Sequence, residues 1–155
     1  MRVYIGSDHA GYELKERLLG WLAEHGHDAV DCGPKRLDPD DDYPPFCIRV
    51  GEGVVVSPGS LGVVIGGSGN GEQIAANKVR GVRAALAWSD DTARLSREHN
   101  DANVLALGAR MVDPADAVRF VELFLTTSFS AEPRHSRRIR MLGEYERTGQ
   151  APPLP

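Results

Sequence analysis

Between Leu61 and Lys78 the chain sets glycines, a hydroxyl and a carboxylate within a few residues of one another. The run Leu61-Gly62-Val63-Val64-Ile65 is followed by Gly66-Gly67-Ser68-Gly69-Asn70-Gly71, then by Glu72-Gln73-Ile74-Ala75-Ala76-Asn77-Lys78. A β-branched run, clustered glycines and a return to helix formers read as strand, tight loop and helix start. Glycines let the backbone take positive φ, so successive N–H groups converge and make a nest for negative charge. Yet the first charged side chain on the rim is itself negative, Glu72. Gly66 and Gly71 have P-loop spacing, but Glu72 stands where the phosphate-binding lysine belongs and Gln73 where the hydroxyl belongs. A carboxylate there repels triphosphate oxygens, which excludes that reading. The dinucleotide fingerprint keeps Gly67 and Gly69, loses its third glycine to Glu72, and stays as an alternative because Asp90 lies at the distance of a ribose acid. An oxyanion nest with a base beside it suits proton abstraction next to a carbonyl, where the enediolate needs N–H donors and the proton needs a carboxylate. At a helix start, the dipole is expected to hold Glu72 ionised.

The elements that must position these groups alternate between strand and helix. Arg2–Ile5 reads as a first strand, running into Gly6-Ser7-Asp8-His9-Ala10-Gly11. Leu14, Leu18, Trp21 and Leu22 then recur at helical spacing, with Gly26 placed to end the helix. Ala29–Cys32 is a second strand, and the acidic, proline-bearing stretch Lys35 to Pro45 reads as a surface loop. Pro44 and Pro45 open a helix marked by Phe46, Val50 and Val54. After the glycine loop a helix starts at Glu72, and Val82–Trp88 is a fourth strand. Ser89-Asp90-Asp91 caps a helix to about Glu98, and Val104–Leu107 is the fifth strand, leading to Gly108-Ala109-Arg110. Asp113-Pro114 opens a helix through Val118, Val121, Phe124 and Leu125, and a basic helix covers roughly Pro133 to Tyr145. This alternation predicts a single-domain α/β fold, a three-layer α/β/α Rossmann-like arrangement on a parallel sheet of about five strands. Such sheets bind ligands at the carboxyl ends of their strands. Asp8 and His9, Glu72, and Arg110 all leave that edge. In the run Arg134-His135-Ser136-Arg137-Arg138, Arg134 and Arg138 share a helix face and could grip a phosphate. His99-Asn100 falls at the opposite, amino edge, so a catalytic His99 would have to serve a neighbouring subunit.

Length and composition narrow the classes further. At 155 residues the chain is one domain long enough for a core, expected over 1–149 with a loose tail at 150–155. Charged residues at 26% and hydrophobic ones at 41% are those of a soluble globular protein. A net charge of −4 argues against a nucleic-acid binder, and no apolar run is long enough to span a bilayer. Without a signal-like N-terminus, a cytoplasmic protein with Cys32 and Cys47 as reduced thiols is expected, and neither has metal-ligand spacing.

These blocks together resemble the type-B ribose-5-phosphate isomerases, grouped with the galactose-6-phosphate isomerase subunits. The resemblance covers about residues 1–145 and is carried by Gly6-Ser7-Asp8-His9-Ala10-Gly11, Gly67-Ser68-Gly69-Asn70-Gly71 with Ala75-Ala76-Asn77-Lys78, Glu98-His99-Asn100, Gly108-Ala109-Arg110, and the Arg134/Arg138 pair. It implies interconversion of ribose 5-phosphate and ribulose 5-phosphate through a cis-enediolate, as in the pentose phosphate pathway. Another phosphorylated aldose such as allose 6-phosphate, a nucleotide- or flavin-binding module, or a purely structural oligomeric domain are the alternatives. Many family members carry a cysteine base at the position of Gly66; another branch carries a glutamate at the position of Glu72, and this chain resembles that branch. The implied roles are proton transfer for Glu72, and ring opening for His99 of a partner with Asp8. Ser68 would bond the sugar, and N–H groups of Gly69, Asn70 and Gly71 would hold the enediolate. Phosphate contacts would come from His9, Arg110, Arg134 and Arg138, with Gly67, Asn100 and His135 as further substrate contacts. A homodimer, or a dimer of dimers, with shared sites is implied, and neither cofactor nor metal.

Overall fold

Short apolar runs become the strands of one parallel sheet in the structure, a computed structural model that describes residues 1–154. Pro155 of the expected tail lies outside the described residues. The strands are β1 (Arg2–Ser7), β2 (Asp28–Asp31), β3 (Leu61–Gly66), β4 (Ala84–Leu86) and β5 (Val104–Gly108), in the order β2-β1-β3-β5-β4. Every residue of β3 and β5 is buried, which is why both read as unbroken apolar runs instead of alternating ones. The helices are α1 (Tyr12–Glu24), α2 (Pro44–Val56), α3 (Asn70–Ala76), α4 (Asp90–Asn100), α5 (Pro114–Thr126) and α6 (Pro133–Thr148). On one face Leu14, Leu18 and Leu22 of α1 and Phe120, Val121 and Phe124 of α5 pack on Ile5, Val63, Ile65 and Leu105. On the other, Cys47, Val50 and Val54 of α2 and Ala75 and Ala76 of α3 cover Val64, Val104 and Ala106. The predicted three-layer α/β/α architecture is the observed one.

The register sets the level of the site. Ser7 pairs with Ile65 and Gly66 with Gly108, so the loops after β1, β3 and β5 depart at the same height. They are then laced together: Asp8 N–H donates to the Ile65 carbonyl (3.3 Å), Ala109 N–H to Gly66 (2.8 Å) and Arg110 N–H to Gly67 (3.1 Å).

Several boundaries differ from the sequence expectation, three of them for a visible reason. The fourth strand is three residues, not the stretch 82–88. Side chains take the backbone groups at its start: Asn77 bonds both the N–H (2.8 Å) and the carbonyl (3.0 Å) of Ala84, and Asn103 Oδ1 accepts from Arg83 N–H (2.7 Å). Helix α3 starts at Asn70, before Glu72, because Gly69 takes φ 81° and turns the chain into the helix there. Helix α6 runs past Tyr145 to Thr148, held by Glu146, whose carboxylate accepts from the Gly81 N–H at 3.0 Å.

A buried cation secures the exit of β2. Lys15 of α1 has no exposed side-chain surface and donates to Asp31 Oδ1 (3.0 Å) and Glu16 Oε1 (2.7 Å). Asp31 Oδ1 also accepts from Gly33 N–H (2.9 Å), and Lys35 reaches Oδ2 (3.2 Å). Burial pushes the Asp31 carboxyl up, but the Gly33 N–H and the two lysines outweigh it, and the net direction is downward. With its folded pKa depressed, Asp31 contributes stability above its ordinary pKa and loses it as pH falls through the lowered value. Lys15→Met should therefore cost about 2 kcal/mol at pH 7, because Asp31 loses its buried partner and keeps only the exposed Lys35 and the Gly33 N–H. In urea unfolding, the gap to the unaltered protein should narrow below about pH 4. A loss under about 1 kcal/mol at pH 7 would show the pair to behave as a surface ion pair.

Candidate active site

The glycine loop delivers Glu72 into a corner made for it. Just after Gly69, the first turn of α3 closes over the end of β3, and the Glu72 side chain folds back onto Gly66. A Cβ at position 66 would land inside the Glu72 carboxylate. Glu72 is only 4% exposed, which decides its acidity. Burial raises its pKa; the N–H groups of Glu72 and Gly69 pull it down, the charge of Asp8 raises it, and the net direction is upward. The helix start favours the ionised form, as expected, but α3 has only seven residues and burial opposes its dipole. A carboxylate of raised pKa is the stronger proton acceptor.

Around it lie the other groups of the carboxyl edge. Asp8, itself buried, caps a one-turn 3-10 helix (His9–Gly11): its Oδ1 accepts from Ala10 N–H (3.0 Å) and Gly11 N–H (3.2 Å). Its Oδ2 makes no hydrogen bond among the described residues. Ser68 and Asn70 are exposed on the rim, and Ser68 Oγ accepts from Asn70 N–H at 3.3 Å. The Gly71 N–H, a first-turn group with no intrahelical acceptor, takes no other carbonyl among the described residues. The Arg110 guanidinium lies over Gly67, where a Cβ would sit 3.4 Å from Nη1. Cys47 is brought against this corner from α2. Burial first, then Glu72 and Asp8, push its thiol far above its ordinary pKa, so it stays protonated and is no base.

Two residues of the site were invisible in the sequence. Asp41 accepts from the N–H of His9 (2.8 Å) and pairs with His9 Nδ1 (3.0 Å). The Tyr43 ring walls the nest, where a Cβ on Gly71 would lie 2.7 Å from Cζ. The stretch Lys35 to Pro45 reads as solvated loop, and nothing in its composition separates Asp41 from Asp38, Asp40 and Asp42.

The remaining expected residues lie elsewhere. Helix α4 leaves the carboxyl edge and runs eleven residues, so at 1.5 Å per residue its far end is about 16 Å away. There the His99 ring lies 4.2 Å from that of His135. His135 is buried, bonds Ser130 Oγ through Nδ1 (3.0 Å), and is pushed down in pKa by burial, then by His99 and Arg134. Arg134 pairs with Glu132 at 3.0 Å, with Arg138 one turn further along α6. Asn100 is exposed at the end of α4. One chain thus holds two clusters: Asp8, His9, Gly67–Glu72 and Arg110 at the carboxyl edge, and His99, Asn100, Arg134, His135 and Arg138 at the far end of α4.

A family model described as ribose/galactose isomerase matches residues 3–142. The chain belongs to this family. Ribose-5-phosphate isomerase B of Mycobacterium tuberculosis is 59% identical over 155 residues, covering all of this chain and 96% of the relative. A crystal structure of ribose-5-phosphate isomerase B from Mycoplasma genitalium with bound ribulose 5-phosphate matches with a TM-score of 0.91 at 41% identity, covering 95% of this chain and 97% of that one. The corresponding protein of Clostridium thermocellum matches with a TM-score of 0.92 at 42% identity, covering 97% of this chain and 100% of that one.

The seat of Glu72 can be tested from the glycine beneath it. In Gly66→Ala the new methyl should displace the flexible carboxylate while leaving the backbone in place. Turnover of ribose 5-phosphate should fall by on the order of a hundredfold, with thermal stability changed by no more than about 2 kcal/mol. Unchanged turnover would show that the carboxylate does not act from this seat.

Proposed function

We propose that the protein interconverts ribose 5-phosphate and ribulose 5-phosphate by moving a proton between C2 and C1 through a cis-enediolate. The observation that carries this reading is the buried Glu72 of raised pKa, seated in the space left by Gly66 beside the nest. In the ring form, Asp8 accepts the anomeric hydroxyl proton as C1 becomes a carbonyl, while a histidine donates a proton to the ring oxygen. Once the chain is open, the Glu72 carboxylate takes the C2 proton as electron density passes to the C1 oxygen; the O2 hydroxyl proton then passes to O1 as Glu72 returns its proton to C1 and O2 becomes the ketone carbonyl. The N–H groups of Asn70 and Gly71, with Ser68, stabilise the enediolate oxygens, at about 3 kcal/mol per donor. His9 and Arg110 hold the phosphate. Residues 1–149 make up the catalytic body, with 150–155 as an accessory tail. We assign the reaction to the cytoplasm; among the described residues no helix is long and apolar enough to cross a membrane.

Because Glu72 has a raised pKa, the acid limb of kcat/KM should lie above the ordinary carboxylate value of about 4.3. Glu72→Gln keeps the shape and removes the base, so kcat should drop by at least about a hundredfold with KM little changed. Ketose formation measured across pH reads both. A kcat within about threefold of the unaltered enzyme would remove Glu72 from the reaction.

We further propose that the histidine at ring opening is His99 of a second copy, which also brings Asn100, His135, Arg134 and Arg138 to the substrate. Two observations support a shared site. The clusters sit at opposite ends of α4, and exposed apolar side chains surround the route between them: Ile74 at 60%, Trp88 at 64% and Leu142 at 61%. Trp88, Asn100 and Leu142 line one groove. A two-fold axis brings each cluster against its complement and builds two equivalent sites. Glu72→Gln and His99→Asn dimers should each be nearly inactive. Unfolded, mixed equally and refolded, they should recover about a quarter of the activity, since about half the dimers are mixed and each has one intact site. No recovery from dimers shown by mass spectrometry to have exchanged would place both residues in one chain's site.

A further inference from the structure

One carboxylate at the site has no part in the proton transfers. Asp41 stands in the loop between β2 and α2, beside Asp38, Asp40 and Asp42, which are all exposed. Asp41 alone of these turns inward, its N–H donating to the Asp38 carbonyl (3.3 Å) and its side chain 10% exposed. Its Oδ1 takes two contacts from a single residue, the backbone N–H of His9 at 2.8 Å and the ring Nδ1 at 3.0 Å. Its Oδ2 is buried without a partner. A carboxylate drawn from water with half its acceptors idle is a poor device for stability, because desolvation is incompletely repaid. What it does accomplish is local. With Nδ1–H committed to Asp41, the tautomer is set. Nε2 has no partner among the described residues, and the ring is 34% exposed toward solvent.

We infer that Asp41 is a positioning residue for His9: it clamps backbone and ring together, so that in the imidazolium, which carries a proton on both nitrogens, Nε2–H is presented as a fixed donor to the substrate's phosphate. This rests on the reading of His9 as a phosphate ligand. The clamp also favours the imidazolium that a phosphate dianion prefers. The Asp41 hydrogen bond raises the His9 pKa, burial opposes it, and the charge of Asp8 from the same turn adds to the rise. On the β5 side Arg110 lies over Gly67, next to Ala10. Loss of the Asp41 charge therefore lets His9 lose its proton at lower pH.

The test uses Asp41→Asn, which keeps the shape and drops the charge. Without substrate, the His9 titration read by NMR should move down by about one pH unit. With ribose 5-phosphate at pH 7.5, KM should rise about three- to tenfold while kcat stays within about twofold. The KM difference should close near pH 5.5, where the ring is charged in both proteins. In a His9→Asn background the same change at Asp41 should add nothing. An unmoved His9 titration, or an equal KM effect in the His9→Asn background, would overturn the inference. A shifted titration with unmoved KM would overturn the clamp's role in phosphate binding while leaving the isomerase reading to Glu72→Gln. If the unaltered protein turns over no sugar phosphate, the functional reading fails, and the titration alone still decides whether Asp41 governs His9.

Discussion

Parallel strands β1, β3 and β5 stop at one height, Ser7 opposite Ile65 and Gly66 opposite Gly108, and every group of the carboxyl edge depends on that level. A parallel sheet buried on both faces enforces it. A slip of one residue would turn each buried side chain to the wrong face. It would also carry Asp8, Glu72 and Arg110 apart by about 3.3 Å, more than a hydrogen bond tolerates. The three loops hold the same height beyond the strands, because backbone donors of one loop are spent on carbonyls of the next. The site is thus fixed by main chain before any catalytic side chain is placed.

On that frame the protein gathers acidic groups in a corner with little water. The charge of Asp8 makes that of Glu72 harder to form there, and both make the Cys47 thiol harder to ionise. No cation is bonded to Glu72 among the described residues, and Arg110 stays outside on Gly67. An arginine drawn into contact would stabilise the fold and weaken the base, so the corner trades stability for basicity. The fold offsets such a cost elsewhere, in the apolar layers of α1 and α5 and in the Lys15–Asp31 pair.

The legible part of this in the sequence was whatever depends on neighbours along the chain. Buried strands announce themselves as β-branched runs, and the Gly66–Gly71 loop announces a turn that only glycines make, so the sheet and a carboxylate beside the nest could be read off. The start of β4 could not, because Asn77 and Asn103 reach it from distant positions. The raised pKa of Glu72 could not either: a helix start is a local signal, whereas burial is a property of the finished fold. Asp41 meets His9 across 32 residues and sits among acids that look identical in sequence. Spacing offered Arg134 and Arg138 as a phosphate grip and put His99 at the far edge, but the packing of His99 on His135 was not readable, since it joins two helices distant in sequence.

The overlap of Gly66 with the Glu72 carboxylate reaches beyond this one chain. In the branch of the family whose many members carry a cysteine base, that cysteine stands at the position of Gly66, where any side chain would claim the volume the Glu72 carboxylate fills here. A lineage therefore cannot acquire one base while keeping the other in place. Moving between them one substitution at a time passes through a protein whose base is either missing or pushed from its seat, so the two positions are inherited as a pair. The same exclusion separates the branches pharmacologically. An electrophile shaped to capture a sulfur at the end of β3 meets a carboxylate here, and would distinguish the two kinds of enzyme by chemistry even where their substrates are identical.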